Sequence, residues 1–219
     1  VYVIGCLSQR YGAELQEEIP EVDAFFGKFD WKGVLEHMGE HFDERIRNQR
    51  VLTTPDHYAY LKISEGCNRT CSYCAIPIMT GKHKSRDFEE LLEECRALVK
   101  GGVKEILVVA QDLTYYGIDL YGKNRLAELI GRIADIEGLE WIKLHYAYPA
   151  GFPLELLTVM RERLNVCKYL DIALQHCSDH MLQQMRRGIS KKQTIELIRK
   201  TRQEVPGIFI RTTLMTGHP

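Results

Sequence analysis

Cys67, Cys71 and Cys74 stand together in the run EGCNRTCSYCAIP, a CxxxCxxC spacing with an aromatic, Tyr73, directly before the last thiol. Three thiolates in one short loop can hold three irons of a cubane 4Fe–4S cluster, one ligand short of a complete protein set. The iron left over is an open coordination position, where a substrate or cofactor can bind. Two other chemistries use clustered cysteines. Structural zinc takes four ligands, commonly from two separated pairs, and no second CxxC exists in this chain. A disulfide framework belongs to secreted proteins, and no signal peptide is visible here. The cluster reading is the expectation carried forward.

The elements that must position this loop follow from periodicity. Tyr58 to Ile63 alternates as a strand and runs into the cysteines. After it, strand-like and helix-like runs alternate. Strands are expected at 105–110, 141–144, 169–174 and 208–213, and helices at 88–100, 126–136, 154–164, 179–185 and 192–204. Near-continuous apolar strands separated by helices argue a parallel sheet covered by helices, in about five βα units. In barrel-like arrangements reactive groups gather at the C-terminal strand ends. A polar cluster stands after each expected strand: the cysteines, Gln111-Asp112, His145 to Pro149, Gln175 to Ser178 and Gly217-His218. That convergence points to one site built by successive loops.

The first part of the chain reads differently. Val1 to Ile4 is a short strand, Gly5-Cys6-Leu7 a turn, Ser8 to Glu18 a helix, 22–26 another strand and 31–38 a short helix. The polar stretch HFDERIRNQRVLTTPD has the composition of a linker. The domains expected are 1–45, a linker at 46–57, and 58–219. Both chain ends read as cut elements, so a fragment of something longer is expected.

Composition bounds the function. With 219 residues, 45% of them hydrophobic, the chain can bury one sizeable core and a small second unit. A net charge of −1 gives no broad positive field for nucleic acid, and no apolar run approaches a membrane span. Neither DNA nor a membrane is therefore expected as a partner. An odd count of seven cysteines, three bunched in one loop, fits free or metal-bound thiols in a reducing cytosol.

The chain resembles the methylthiotransferases of the radical S-adenosylmethionine (SAM) superfamily. The stretches that carry the likeness are YAYLKISEGCNRTCSYCAIPIMTGKHKSR (58–86), VVAQDLTYYGIDLYG (108–122), HYAYP (145–149), KYLDIALQHCSDHMLQQMRRGISK (168–191) and RTTLMTGHP (211–219). Two branches share the cysteine loop. One modifies an aspartate of a small-subunit ribosomal protein, the other an adenosine of tRNA. HYAYP and IALQHCSDHML resemble the first. The resemblance implies an α/β fold: a partial βα barrel, about five of its six units present, preceded by the remnant of a methylthiotransferase domain. A small C-terminal β-barrel of the family is expected to lie outside these 219 residues. It also implies two 4Fe–4S clusters in the full-length protein, SAM as cofactor, an electron-donor protein and a cytoplasmic enzyme. The SAM bound at Cys67, Cys71 and Cys74 would be split by one electron, and the resulting radical would take a hydrogen from the aspartate β-carbon, which then captures a methylthio group. Such a C–H bond is not acidic, so acid–base residues have no purchase on it.

Further residues take roles by the same resemblance, each beside a plainer reading. Cys6, in GCLSQRY, matches the last ligand of the auxiliary cluster; otherwise it is a small buried apolar residue. Gln111 and Asp112 stand where many superfamily members meet the SAM amino group; Asp112 could equally cap a helix. Gln175 and Arg187 could meet the ribose and carboxylate of SAM, with a surface arginine the alternative. Tyr73 belongs to the cofactor-binding set. His145, Tyr146 and Tyr148 could line the substrate opening, or anchor a strand end. Cys95 and Cys167 read as core or surface bystanders, and Cys177, after a strand end beside His176, as a packing residue or one facing the cavity. Arg186, Arg187, Lys191 and Lys192 form a small basic patch, read as a solvated helix end or an RNA contact. Glu14 to Glu21 reads as an acidic solvent face. The competing functions are tRNA adenosine methylthiotransferase and a non-enzymatic metal-binding module.

Overall fold

The computed structural model describes residues 1–28, 30–41 and 50–219. Of the expected linker, 46–49 lie outside the described residues. The chain divides into two compact units, Val1–Val51 with Ala75–Gly81, and Leu52–Cys74 with Lys82–Pro219. The short segment after the third cysteine thus groups with the first unit.

In the first unit, β1 (Tyr2–Gly5) pairs in parallel with β2 (Ala24–Gly27), and α1 (Cys6–Glu18) connects them. Helix α2 (Trp31–His37) starts at Asp30, whose carboxylate accepts from Gly33 N at 3.1 Å. Tyr2, Phe26 and His37 stack edge to face. The expected Gly5-Cys6-Leu7 turn is absent, because Gly5 alone, at φ 144°, turns the strand into the helix. Cys6 is therefore the first residue of α1 and half-buried. Glu14, Glu17, Glu18 and Glu21 are exposed.

The second unit holds a five-stranded sheet, all parallel. Its strands are β3 (Tyr58–Lys62), β6 (Glu105–Val109), β7 (Trp141–Ala147), β8 (Val166–Ile172) and β9 (Phe209–Arg211), adjacent in that order. Two short strands, β4 (Ser64–Glu65) and β5 (Lys84–Ser85), pair antiparallel on either side of the cysteine loop; α3 (Ile76–Thr80) lies between them in the chain. Helix α4 (Phe88–Lys100) follows, then a 3-10 turn over Leu113–Tyr115, α5 (Ile118–Tyr121), α6 (Leu126–Ala134), α7 (Glu155–Glu162), α8 (Asp179–Gln184) and α9 (Lys191–Glu204).

Helix α4 shows why these segments fold as they do. Phe88, Leu91, Leu92, Cys95 and Leu98 recur on one face and are buried, and Asp87 caps the start by accepting from Glu89 N and Glu90 N. Cys95 is core, as read. Helix α9 opens with a reciprocal capping box between Ser190 and Gln193. On the sheet, Leu61, Ile106, Val108, Ile142, Leu144 and Leu170 join the helices in one apolar core. Period two sends the alternate residues, among them Lys143, His145, Tyr169, Asp171, Phe209 and Arg211, to the opposite face.

Two expectations need correction. Strand β7 runs on to Ala147, so His145 and Tyr146 lie within it rather than after it. Pairing with β8 shifts register between Leu144 and Ala147, and Tyr146 takes up the extra residue at φ 68°. Strand β8 begins at Val166, so Cys167 is inside it, not before it. Apolar content marks where a strand is buried, whereas the backbone ladder extends past the apolar run.

Candidate functional site

The cysteine loop leaves the sheet at the C-terminal end of β3. Cys67 and Cys71 are buried, Cys74 half-buried, and all seven cysteines are free. The loop is tied down by its polar side chains. His83 N donates to Asn68 Oδ1 at 3.0 Å, Ser72 Oγ donates to Gln184 O at 3.0 Å, and Ser72 Oγ meets His218 Nε2 at 2.9 Å. Cys74 N closes a turn on Cys71 O at 3.0 Å.

Donors and aromatic rings surround the sulfurs. Arg69 N lies 3.4 Å from Cys67 Sγ, and Arg187 Nη1 lies 3.2 Å from Cys71 Sγ. The Tyr148 hydroxyl is 3.5 Å from Cys71 Sγ and donates to Arg187 O at 2.8 Å. Two guanidiniums lie over the Tyr148 ring, Arg69 at 4.0 Å and Arg187 at 4.1 Å. Arg187 also donates to the Tyr73 hydroxyl at 3.0 Å and to Ala173 O.

Arg187 is thus no surface residue: it is 3% exposed. The end of α8 explains its direction. Arg186 adopts φ 53° and Gly188 φ 65°, so the chain reverses around Arg187 and aims it at the loop. The basic patch expected from MRRGISKK loses this member, while Arg186, Lys191 and Lys192 stay exposed.

Burial pushes the Cys67 thiol up, against the pull of the Arg69 N–H, with Asp112 and the neighbouring cysteines adding to the rise. Burial also lifts the Tyr73 phenol to about 12, although Arg187 pulls the other way, and lifts Tyr148 well above the usual range. Burial thus favours the protonated thiol at Cys67, and a metal must displace that proton to bind.

At the end of β6, Asp112 is fully committed. It accepts from Thr114 N at 2.9 Å and Thr114 Oγ1 at 2.5 Å, capping the 3-10 turn, and from Arg69 Nε at 2.8 Å. Of its two readings, the cap is the one observed. Its neighbour Gln111 donates to Glu65 through Nε2 while its Oε1 is buried without a partner. Gln175, at φ 71°, bridges to Leu214 after β9, and its Oε1 is likewise buried and unpartnered. So is Arg187 Nε. Two carboxamide oxygens and one guanidinium N–H thus lack partners at C-terminal strand ends; such atoms suit the ammonium and carboxylate of an amino-acid ligand.

Tyr148 is buried against Cys71 rather than lining an opening. Tyr146 is exposed, and His145 is half-buried beside Asp171, its Nδ1 3.7 Å from Oδ2. Cys177 is exposed, which leaves no packing role for it. Sequence reasoning passed over Arg69, although a lone cation inside a three-thiol loop was the visible signal. It also passed over the pair Asp171 and Arg211, which face each other across β8 and β9. The network of His83, Ser85 and Asp119 was missed too. Ser85 Oγ donates to Asp119 Oδ1 at 2.6 Å and meets His83 Nε2 at 3.2 Å.

Among the described residues, no three His, Cys, Asp or Glu side chains are grouped to share a single metal ion. A cubane asks something else, one thiolate at each of three corners with donors to steady the sulfurs; the loop carries three cysteines, with Arg69 N beside Cys67 Sγ and Arg187 Nη1 beside Cys71 Sγ.

The model of the "Radical SAM superfamily" matches residues 61–219. The chain belongs to the radical SAM superfamily. Membership implies a 4Fe–4S cluster and SAM. The chain is 65% identical over 219 residues to the "Ribosomal protein uS12 methylthiotransferase RimO" of Porphyromonas gingivalis, and covers 50% of that protein. It is equally 65% identical to the RimO of Bacteroides fragilis, covering 51% of it. The chain thus spans about half the length of the curated relatives it matches. Among solved structures, the radical SAM methyltransferase TsrM of Kitasatospora setae, solved with cobalamin and a 4Fe–4S cluster, superposes with TM-score 0.71 at 15% identity. The match covers 100% of this chain and 51% of that one. The cobalamin-dependent radical SAM enzyme OxsB gives 0.68 at 14%, covering 98% and 36%. These two likenesses speak for the superfamily's α/β fold alone.

Proposed function

We propose that this chain is part of a radical SAM methylthiotransferase that adds a methylthio group to the β-carbon of an aspartate in ribosomal protein uS12. The observation that carries the reading is the likeness to RimO proteins across all 219 residues of this chain, about half of their length, joined to a three-cysteine loop set at C-terminal strand ends. In this reading residues 1–45 belong to a methylthiotransferase domain, 46–57 link it, and 58–219 form the radical SAM core. Cys67, Cys71 and Cys74 hold the SAM-binding cluster, and Cys6 is one ligand of an auxiliary cluster.

When bound, the cluster and SAM supply the one-electron chemistry that an unactivated C–H bond demands. The chain's own residues prepare the place. Arg187 and the Arg69 N–H direct positive ends at the Cys71 and Cys67 sulfurs, which would steady them as cluster ligands. Gln111 and Gln175 offer their unpartnered oxygens to the SAM ammonium and ribose, and Arg187 its remaining N–H to the carboxylate. Asp112 acts by holding Arg69. Tyr148 and Tyr73 wall the loop from water. The partners are uS12, free or in the ribosomal subunit, and an electron-donor protein, in the cytoplasm. No helix among the described residues is long and apolar enough to cross a membrane.

The test uses the full-length protein, reconstituted anaerobically with iron and sulfide, beside its Cys71→Ala variant. With SAM and reductant, the unaltered enzyme should add a methylthio mass to an aspartate of uS12 and leave unmodified tRNA unchanged. The variant should lose the iron of the SAM-binding site and all SAM cleavage while keeping its circular dichroism. Methylthiolation of tRNA alone would overturn the substrate assignment, and normal SAM cleavage by Cys71→Ala the ligand assignment.

A further inference from the structure

The sheet face turned away from the helices carries a charged pair that the cysteine site does not use. Asp171, in β8, is 4% exposed. Its Oδ2 accepts from Arg211 Nη1 at 2.8 Å, across the register pair Asp171–Arg211 of β8 and β9. The carboxylate is buried and the guanidinium is not, since the Arg211 side chain is 56% exposed. Burying a carboxylate in a strand is costly, and an apolar residue would serve a sheet better. What the burial does here is fix the direction of a planar fork that has several N–H donors, one of them engaged by Asp171. Lys143 lies on the same face, 4.8 Å over the Tyr169 ring.

Arg211 is the last residue of β9, so it stands at the strand end where Gln111, Gln175 and the cysteine loop also lie. We propose that Arg211, oriented by Asp171, binds the carboxylate of the target aspartate. The inference rests on the reading of uS12 as substrate. Its logic is geometric: the reacting β-carbon is bonded directly to the carboxylate carbon. A two-pronged grip on the carboxylate therefore fixes the C–H to be broken within one bond length of the anchor. An adenine base has no such group, so the same contact selects protein over tRNA. The carboxylate of SAM has the same chemistry, and the experiment separates the two.

The experiment uses the full-length anaerobic enzyme with SAM and no reductant, so that binding is read without turnover. Fluorescence anisotropy measures affinity for uS12 carrying its target aspartate and for uS12 with asparagine there. The unaltered enzyme should prefer aspartate by about 10–100-fold, the range for a hydrogen bond to a charged group. In Arg211→Gln the aspartate form should weaken by about that factor and the asparagine form by less than about 3-fold, so the preference collapses. The double variant Arg211→Gln/Asp171→Asn, which leaves no unpaired buried carboxylate, should behave alike and guards against misfolding. SAM affinity should stay within about 2-fold in both. Equal weakening of the two uS12 forms would make Arg211 a structural residue, and a loss of SAM affinity instead would assign its fork to SAM; either overturns the proposal. An unaltered enzyme that binds both uS12 forms equally overturns the proposal and leaves uS12 as substrate, whereas one that binds neither form overturns the substrate reading itself.

Discussion

Asp112→Asn separates a residue that builds the site from one that touches its ligand. The carboxylate has 2% side-chain exposure and receives three hydrogen bonds, two from Thr114 at Oδ1 and one from Arg69 at Oδ2. Asparagine has the same shape but only one acceptor oxygen. If its amide nitrogen faces Arg69, two donors oppose each other and the ion pair is gone. If it faces Thr114, the cap fails. A lost hydrogen bond to a charged group costs about 1.5–3 kcal/mol, and an abandoned buried partner adds to that. Arg69 keeps some access to water, with 23% side-chain exposure, which limits the penalty to about 2–4 kcal/mol. For a domain of this size that lowers Tm by about 5–15 °C. Urea unfolding and thermal melts of the cluster-free protein measure it. A cycle with Arg69→Met should return a coupling of about 1 kcal/mol or more. A variant within about 0.5 kcal/mol of the unaltered protein would refute the reasoning. So would a stable variant whose only defect is weaker SAM binding, because Asp112 would then be a direct contact.

Other outcomes follow from the same network. Burial holds the His83 imidazole below its ordinary pKa, although Asp119 pulls it up. The unfolded chain therefore takes the proton first as pH falls, so this contribution is intact above about pH 6.5 and is lost on acidification toward the depressed folded value. His83→Gln should flatten that slope, by at most about 1.4 kcal/mol per pH unit, in urea unfolding between pH 5 and 7. Asp87→Ala should cost about 1 kcal/mol at pH 7 by uncapping α4. The Glu90 N–H bond leads in holding the Asp87 carboxyl below its usual range, against burial. Its contribution is thus present above the unfolded value and lost as pH falls through the folded one. Melts of Asp87→Ala and the unaltered protein should converge once the pH has fallen below the depressed folded value.

The sheet was legible because its strands are apolar and the helices between them strongly patterned; Glu105–Val109 and Phe88–Lys100 lie where periodicity puts them. The small pieces were not, because two-residue strands such as Ser64–Glu65 and Lys84–Ser85 carry no period, and only their mutual pairing defines them. The site divides along the same line. Cys67, Cys71 and Cys74 could be read from spacing, since one loop carries all three. Tyr148, Arg69 and Asp112 come from three strand-end segments and Arg187 from the end of α8, and no local pattern says that two guanidiniums will lie over one phenol ring. Arg187 shows the limit best. In the run MRRG two adjacent arginines are chemically identical, yet Arg186 is exposed and Arg187 is 3% exposed. The difference lies in the left-handed Arg186 at the end of α8, a backbone choice that composition does not announce. The fold brings a cation to the cysteine loop by turning the end of α8 inward, and that turn exists only once the helix has packed.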